Sequence, residues 1–230
     1  MFINKKVIRA KFIRRPNRFQ GYVIIDGKET LVHVPNTGRC KEILVPGSTV
    51  VLREESNPLR KTKYDLIGGY KGERFINIDS QIPNKVVEEA LLQGKIESLK
   101  SYTIIEREKT FGNSRFDFRL KNKEGDEYYL EVKGVTLEEG GETRFPDAPT
   151  ERGRKHLLEL IEVKNSGKGA GVLFLIQMEK VDYFKPNDSM DKAFGDALRL
   201  AYKKGVELFA YDCNVGEKFI TLKDKVKIKI

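Results

Sequence analysis

The hydrophobic period of this chain changes once, at Pro83, and that change limits the folds open to it. Before Pro83 every apolar stretch is short and β-like: "VIRAKFIR" (7–14), "FQGYVII" (19–25), "ETLVHV" (29–34), "STVVLRE" (48–54), "YDLIGGY" (64–70) and "RFINI" (74–78). Each is rich in β-branched or aromatic residues, and Asp26-Gly27 between the second and third is a hairpin signal. After Pro83 helical and strand periods alternate. Helical spacing in "NKVVEEALLQGKI" (84–96) gives way to strands at 102–111, 114–120 and 128–135. A Gly- and Pro-rich loop follows, then a helix over 151–165 with Thr150 as N-cap, a buried strand over 171–178, a helix over 191–205 and a strand over 206–211.

Short strands packed this densely suit a small barrel of the OB type, though the pattern alone allows a sandwich. Strands alternating with helices predict a layered α/β core. The expected organisation is thus two domains, 1–82 and 83–230. The chain has 230 residues, 39% of them hydrophobic, which is enough to bury a substantial core. Its first residues carry basic groups but no apolar run of the signal-peptide kind. The longest apolar run, "AGVLFLI" (170–176), is too short to cross a membrane. Cys40 and Cys213 lie far apart in no metal-binding spacing, so a reducing cytoplasm is the expected compartment.

The net charge of +9 is unevenly placed. Residues 1–82 hold 16 Lys and Arg against 8 Asp and Glu; residues 83–230 hold 27 against 26. A basic excess confined to one segment points to a polyanion, nucleic acid first and an acidic membrane surface second; a soluble basic surface without a partner is the plain alternative.

"YYLEVKGV" (128–135) is an odd strand to bury. Leu130 and Val132 share one side, so Glu131 and Lys133 point to the other. In "SRFDFRL" the residues Phe116, Phe118 and Leu120 are expected on one side, with Asp117 on the other. A hairpin turn centred near Glu124 would set Asp117 opposite Glu131. Facing carboxylates repel unless a divalent cation sits between them, and Mg²⁺ favours such hard oxygen ligands. A lysine beside them can orient a metal-activated water or stabilise charge on a phosphate. A solvated face carrying ordinary ion pairs fits the same spacing.

Four stretches carry a family resemblance: "HVPNTGRCKEILVPG" (33–47), "SRFDF" (114–118), "EVKGVTL" (131–137) and "FPDAPTERGRKHLLEL" (145–160). Together they resemble the sugar fermentation stimulation protein A family, across nearly the whole chain. The resemblance implies an N-terminal OB-fold followed by a mixed-sheet domain of the PD-(D/E)xK nuclease type. It also implies DNA binding and a link to the control of sugar metabolism, including maltose. On the nuclease pattern, Asp117, Glu131 and Lys133 are the catalytic set, and Asp117 and Glu131 ligate Mg²⁺ or Mn²⁺. The proline of the eponymous Pro-Asp pair is replaced by Phe116. A further carboxylate from the preceding helix is expected, Glu88 or Glu89 with Glu89 preferred, and Gln177 is a polar support.

Two basic stretches complete the candidate surface. "FIRRPNRF" (12–19) sets Arg14, Arg15 and Arg18 between Phe12 and Phe19, a pattern in which arginines hold phosphates and aromatics stack on bases. Phe12 suits the barrel core equally well, as does His33. "ERGRKH" (151–156) opens a helix with Arg152, Arg154, Lys155 and His156, where cations oppose the helix dipole but suit a phosphate; pairing with Asp147 and Glu151 is the alternative. Lys11, Arg14, Arg15, Arg18, Arg39, Arg152 and Lys155 are therefore the nucleic-acid candidates. Two functional readings stand: a Mg²⁺-dependent nuclease, or a DNA-binding regulator that does not cut. RNA as the polymer and a homodimer both remain compatible with the sequence.

Overall fold

A computed structural model describes residues 1–230. The first half forms one sheet that closes on itself. Strand β1 (Val7–Asn17) pairs antiparallel with β2 (Gln20–Ile25) through its second half and with β4 (Thr49–Glu54) through its first. β2 continues to β3 (Lys28–His33), and β4 to β5 (Tyr64–Lys71). The seam closes where His33 of β3 meets Asp65 of β5, and their side chains hydrogen-bond at 2.9 Å. That 1-2-3-5-4-1 circuit is an OB-fold, and β6 (Arg74–Asn77) adds a hairpin to β5. β1 can serve two neighbours because it bends, with register shifts on either side of Arg14. The expected hairpin at Asp26-Gly27 is present, with both residues at positive φ (49° and 75°). Phe12, Val23, Val32, Val50, Leu52 and Leu66 fill the barrel.

Beyond it, a second six-stranded sheet comprises β7 (Ile104–Phe111), β8 (Ser114–Lys121), β9 (Glu127–Val135), β12 (Gly169–Ile176), β14 (Glu207–Gly216) and β15 (Phe219–Lys225). β9, β12 and β14 run parallel in the centre, and antiparallel pairs flank them. Helix α1 (Ile82–Leu92) covers one face through Val86, Val87, Ala90 and Leu91. Helices α2 (Glu151–Asn165) and α3 (Lys192–Lys203) cover the other through Leu157, Leu160, Phe194 and Leu198. Fully burying such side chains is worth roughly 1.5–3 kcal/mol each, so both faces of the sheet are committed to packing. Pro83 lies inside the first turn of α1, where its missing N–H costs nothing. The helix ends earlier than its sequence pattern suggests, at Gly94 with φ of 64°.

The Gly- and Pro-rich stretch after β9 is not all loop. It holds a tight hairpin of β10 (Leu137–Glu139) and β11 (Glu142–Phe145), turned by Gly140 and Gly141 at φ of 58° and 87°. β11 pairs with β13 (Tyr183–Pro186), which pairs with β16 (Lys227–Ile228), giving a small third sheet. No helix of the chain is long and apolar enough to cross a membrane.

The barrel and the second sheet share one hydrophobic cluster, in which Ile76 and Ile78 join Val135 and Met178. Polar bonds reinforce the junction. Asn77 N donates to Gln177 O at 3.0 Å, Gln177 Nε2 donates to Asn77 Oδ1 and Asp79 O, and Glu138 pairs with Lys71 and Arg74.

Candidate functional site

The β8–β9 ladder runs through Arg119↔Tyr129 to Phe118↔Leu130, the pair next to Asp117 and Glu131, and stops there. Strand alternation also stops at Asp117. Phe118 and Leu120 pack in the α1 layer, but Phe116 packs under α2, with its ring centroid 5.8 Å from those of Tyr129 and His156. The expectation that the three apolar residues share a side is thus corrected. The interruption frees Asp117 to replace a backbone acceptor: its Oδ2 accepts from Val132 N at 2.7 Å. Its Oδ1 accepts from Asn84 Nδ2 at 2.7 Å. Burial first, and the Glu131 carboxylate second, push the Asp117 carboxyl above its usual range.

Glu131 projects from β9 beneath α2 and is only 3% exposed. It is not on a solvated face, because both faces of the sheet are covered. Its Oε1 accepts from Lys133 Nζ in a close ion pair and from His156 Nδ1 at 2.6 Å. His156 Nδ1 thus faces Glu131, and Arg152 Nε lies 3.4 Å from the other ring nitrogen, Nε2. Burial opposes ionisation of Glu131, but Lys133 and His156 together outweigh it and hold its carboxyl below the usual range. Its other oxygen, Oε2, is buried without any partner. An orphaned carboxylate oxygen beside a second carboxylate is a fit for a hard divalent cation. Asp117 and Glu131 are the residues that would hold it. No group of three or more His, Cys, Asp or Glu converges as a metal cluster anywhere in the chain, this site included, so the pair would hold a cation with only two carboxylates.

The helix before the sheet contributes differently from expectation. Glu89 turns away and pairs with the Met1 amine at 2.5 Å, while Glu88 faces Arg107. Asn84 is the residue of α1 that reaches Asp117. Glu89 lies five positions further along, about 140° around the helix, so the two cannot face the same neighbour. Gln177 works as a strut between the domains, and only a glycine fits beside it: a Cβ on Gly134 would lie 2.3 Å from Gln177 Oε1.

The basic candidates separate into two groups. Arg15 is turned inward, donating to four backbone carbonyls, those of Gly38, Arg39, Arg18 and Asn36, at 2.6–2.9 Å. Both terminal nitrogens of its guanidinium are committed to carbonyls around residues 36–39 and of Arg18, and its Nε is buried without a partner, which corrects its assignment to phosphate. Arg14 stays exposed, paired with Glu29 at 2.7 Å and stacked over the Tyr22 ring at 3.9 Å. Lys11, Arg18 and Arg39 are exposed, Lys11 reaching Thr49. On α2, Lys155 donates to Asn113 O and Arg152 supports His156. Thr150 caps the helix as expected, its Oγ1 accepting from Gly153 N at 3.0 Å. A cleft of about 250 Å³ lies between the domains, with Arg18, Thr37 and Gly38 on the barrel side and Lys133, Arg144 and Gln177 on the other.

Comparison with known proteins places this geometry. Residues 13–78 match the model of the SfsA N-terminal OB domain, and residues 81–219 match that of the sugar fermentation stimulation protein RE domain. The chain belongs to the sugar fermentation stimulation protein family. A sugar fermentation stimulation protein homolog from Clostridium tetani is 72% identical over 228 residues, covering 99% of both chains. One from Clostridium acetobutylicum is 67% identical over the same length and coverage. Among solved structures, Pyrococcus furiosus SfsA in complex with Ca²⁺ superposes with a TM-score of 0.90 at 29% identity, covering 100% of each chain. The family architecture, an OB domain followed by a PD-(D/E)xK-type mixed sheet, is that of this chain.

Of the polar neighbours of the acidic pair, Asn84 was missed in the sequence, and His156 was placed in the basic run of α2 rather than against Glu131. His156 did leave a signal: it falls with Gly153, Leu157 and Leu160 on the 3–4 spacing that α2 buries. Asn84 left none, because its role depends on how α1 docks.

Proposed function

We propose that this protein binds nucleic acid and holds one divalent cation between Asp117 and Glu131. The buried, partnerless Glu131 Oε2 beside a second carboxylate is the observation that carries the cation. The Ca²⁺ complex of the Pyrococcus furiosus relative supports it. The nucleic-acid reading is supported by the OB domain and by the basic excess of residues 1–82, to which we assign most of the affinity. Binding to DNA, as in a regulator of sugar-metabolism genes, is the reading we favour. The thinness of the cation site favours it: two carboxylates, with Glu131 Oε1 already taken by Lys133 and His156.

Phosphodiester hydrolysis is the second reading, and the position of Lys133 supports it. Lys133 contacts Glu131 and lines the interdomain cleft, where its ammonium would meet a phosphate oxygen. A bound Mg²⁺ or Mn²⁺ would act as a Lewis acid on the phosphate and on a coordinated water. Asn84 and Val132 N would keep Asp117 oriented, and His156 would do the same for Glu131.

The test combines calorimetry and thermal melts with Mg²⁺, Mn²⁺ and Ca²⁺ on wild type, Asp117→Asn and Glu131→Gln. A cation at one hundred times its Kd should stabilise the wild type by about 2.7 kcal/mol and leave both variants unmoved. Equal shifts in all three proteins would refute the site. Cleavage assays on DNA and RNA, with Lys133→Ala as control, separate the two readings.

A further inference from the structure

The interdomain cleft does not end at the domain junction. It runs into an outer basin of about 440 Å³ on the barrel, and the two share Arg18, Thr37, Gly38, Ala148 and Pro149 as lining. The result is one groove from the barrel rim to Lys133. Arg14, Arg15, Arg18, Arg39 and Lys41 line the outer part, with no acidic residue among its lining. The inner part is lined by Lys133 and Arg144, with Asp147 its single acidic lining residue. Four of these cations are committed, Arg15 to backbone carbonyls, Arg14 to Glu29, Lys133 to Glu131 and Arg144 to Glu139 and Glu142; Arg18, Arg39 and Lys41 form no ion pair. The unpaired cations gather at Arg18 and in the outer part, which suits a polyanion entering from the barrel rim.

Its dimensions select further. The inner part, about 250 Å³, falls just below the roughly 300–1,000 Å³ of clefts that hold small molecules, which leaves room for about one nucleotide. Bonds across the junction keep it from widening. Cys40 N donates to Asp147 Oδ2 at 2.7 Å, and Gln177 Nε2 donates to Asn77 Oδ1 and Asp79 O.

The β1–β2 turn that carries Arg18 also carries an exposed aromatic. Phe19 follows Arg18 directly and is 56% exposed, in contrast to Phe12, which is 3% exposed in the barrel core. Its backbone is fixed on both sides: Phe19 N donates to Asn17 Oδ1 and Phe19 O accepts from Val34 N, each at 2.9 Å. A ring held on a rigid turn beside cations is a stacking platform for an unpaired base.

We propose that this groove takes a single strand of nucleic acid. Phe19 stacks on a base at the mouth, and the strand's backbone passes Arg18 toward Lys133. This rests on the nucleic-acid reading above and names the form of the polymer: a free strand, or the unpaired arm of a branched or overhanging duplex. Stacking and phosphate contact are insensitive to sequence, so binding along the groove has no base preference beyond stacking strength.

The experiment is fluorescence anisotropy of the full chain in EDTA, against labelled oligothymidylate, oligouridylate, a blunt duplex of equal length and the same duplex with an overhang. The single strands and the overhang should bind more tightly than the blunt duplex. Phe19→Ala should weaken binding to oligothymidylate by roughly five- to a hundredfold and leave the blunt duplex unchanged, while Phe19→Tyr keeps wild-type affinity. The ring is exposed, so melting temperatures should match and a folding defect would be visible separately. Equal loss on strand and duplex, or loss on neither, overturns the groove while leaving nucleic-acid binding intact. Absence of wild-type binding to every oligonucleotide would overturn both.

Discussion

Replacing Arg15 and replacing its neighbours Arg14 and Arg18 should have opposite consequences, although all three lie in one basic run. Arg15 donates to four backbone carbonyls that shape the loop at residues 36–39, and burial lowers its pKa. Hydrogen bonds from a charged donor are each worth about 1.5–3 kcal/mol. Their acceptors sit at a groove edge and regain water when the guanidinium is removed, so the sum is discounted. Arg15→Ala should therefore cost about 2–4 kcal/mol, or roughly 4–15 °C in melting temperature for a chain of this size. Its effect on the salt dependence of DNA binding should be nil at temperatures where the variant is folded. Arg14→Ala with Arg18→Ala should do the reverse, leaving the melt nearly unchanged. The slope of log K against log salt should flatten by up to about 1.8 units on duplex, or about 1.4 on single strands. Thermal melts and anisotropy titrations across salt concentrations measure both quantities. A flattened slope with an unchanged melt for Arg15→Ala would refute the inward assignment of that residue.

Other expectations follow from the same contacts. Glu42 has a buried Oε1 without a partner, and burial, with the nearby Asp147 charge, pushes its carboxyl up to about 7. The folded state therefore holds a proton that the unfolded state has lost between about pH 4.5 and 7, and stability should fall as pH rises through that window. Glu42→Gln should remove this loss; denaturant melts at pH 5 and pH 8 that fall equally for both proteins would contradict it. His156→Ala removes the donor that orients Glu131, and should weaken divalent-ion affinity by roughly ten- to a hundredfold in calorimetry, with His156→Gln intermediate. Unchanged affinity in both variants would leave His156 a packing residue only.

How far the sequence could carry the fold depended on whether each signal was local. Period-2 runs, the Asp26-Gly27 turn and the Thr150 cap are set by neighbouring residues, and they reappear as β1 to β6, a left-handed hairpin turn and a capped α2. The strands β13 and β16 were not legible, because they exist only as partners of distant strands; β15 was not read although it returns directly from β14 through a tight hairpin. The hairpin of β10 and β11 was masked by the glycines that turn it. The face of β9 was legible from alternation. The break at Phe116 was not, since it follows from the ladder ending at Asp117 and from a ring drawn under α2.

The same distinction explains the basic residues, and it ties the site to the groove. Composition locates charge on a segment but not the direction in which a guanidinium points. Arg15 and Arg18, separated by two residues on one bent strand and its turn, end in different roles because β1 shifts register between them. One arginine is drawn inward and fixes the loop at residues 36–39; the other stays on the rim. The loop that Arg15 holds is itself a wall of the cleft that reaches Lys133. An arginine with no phosphate contact thereby sets the width of the path along which a phosphate would approach Asp117 and Glu131. Loss of Arg15 should then relax the groove's discrimination against duplex before it affects either carboxylate. Duplex affinity that rises toward that of single strands in Arg15→Ala, with divalent-ion affinity preserved, is the result expected. Discrimination equal to wild type would mean that the wall is held by Asn36 and Cys40 alone.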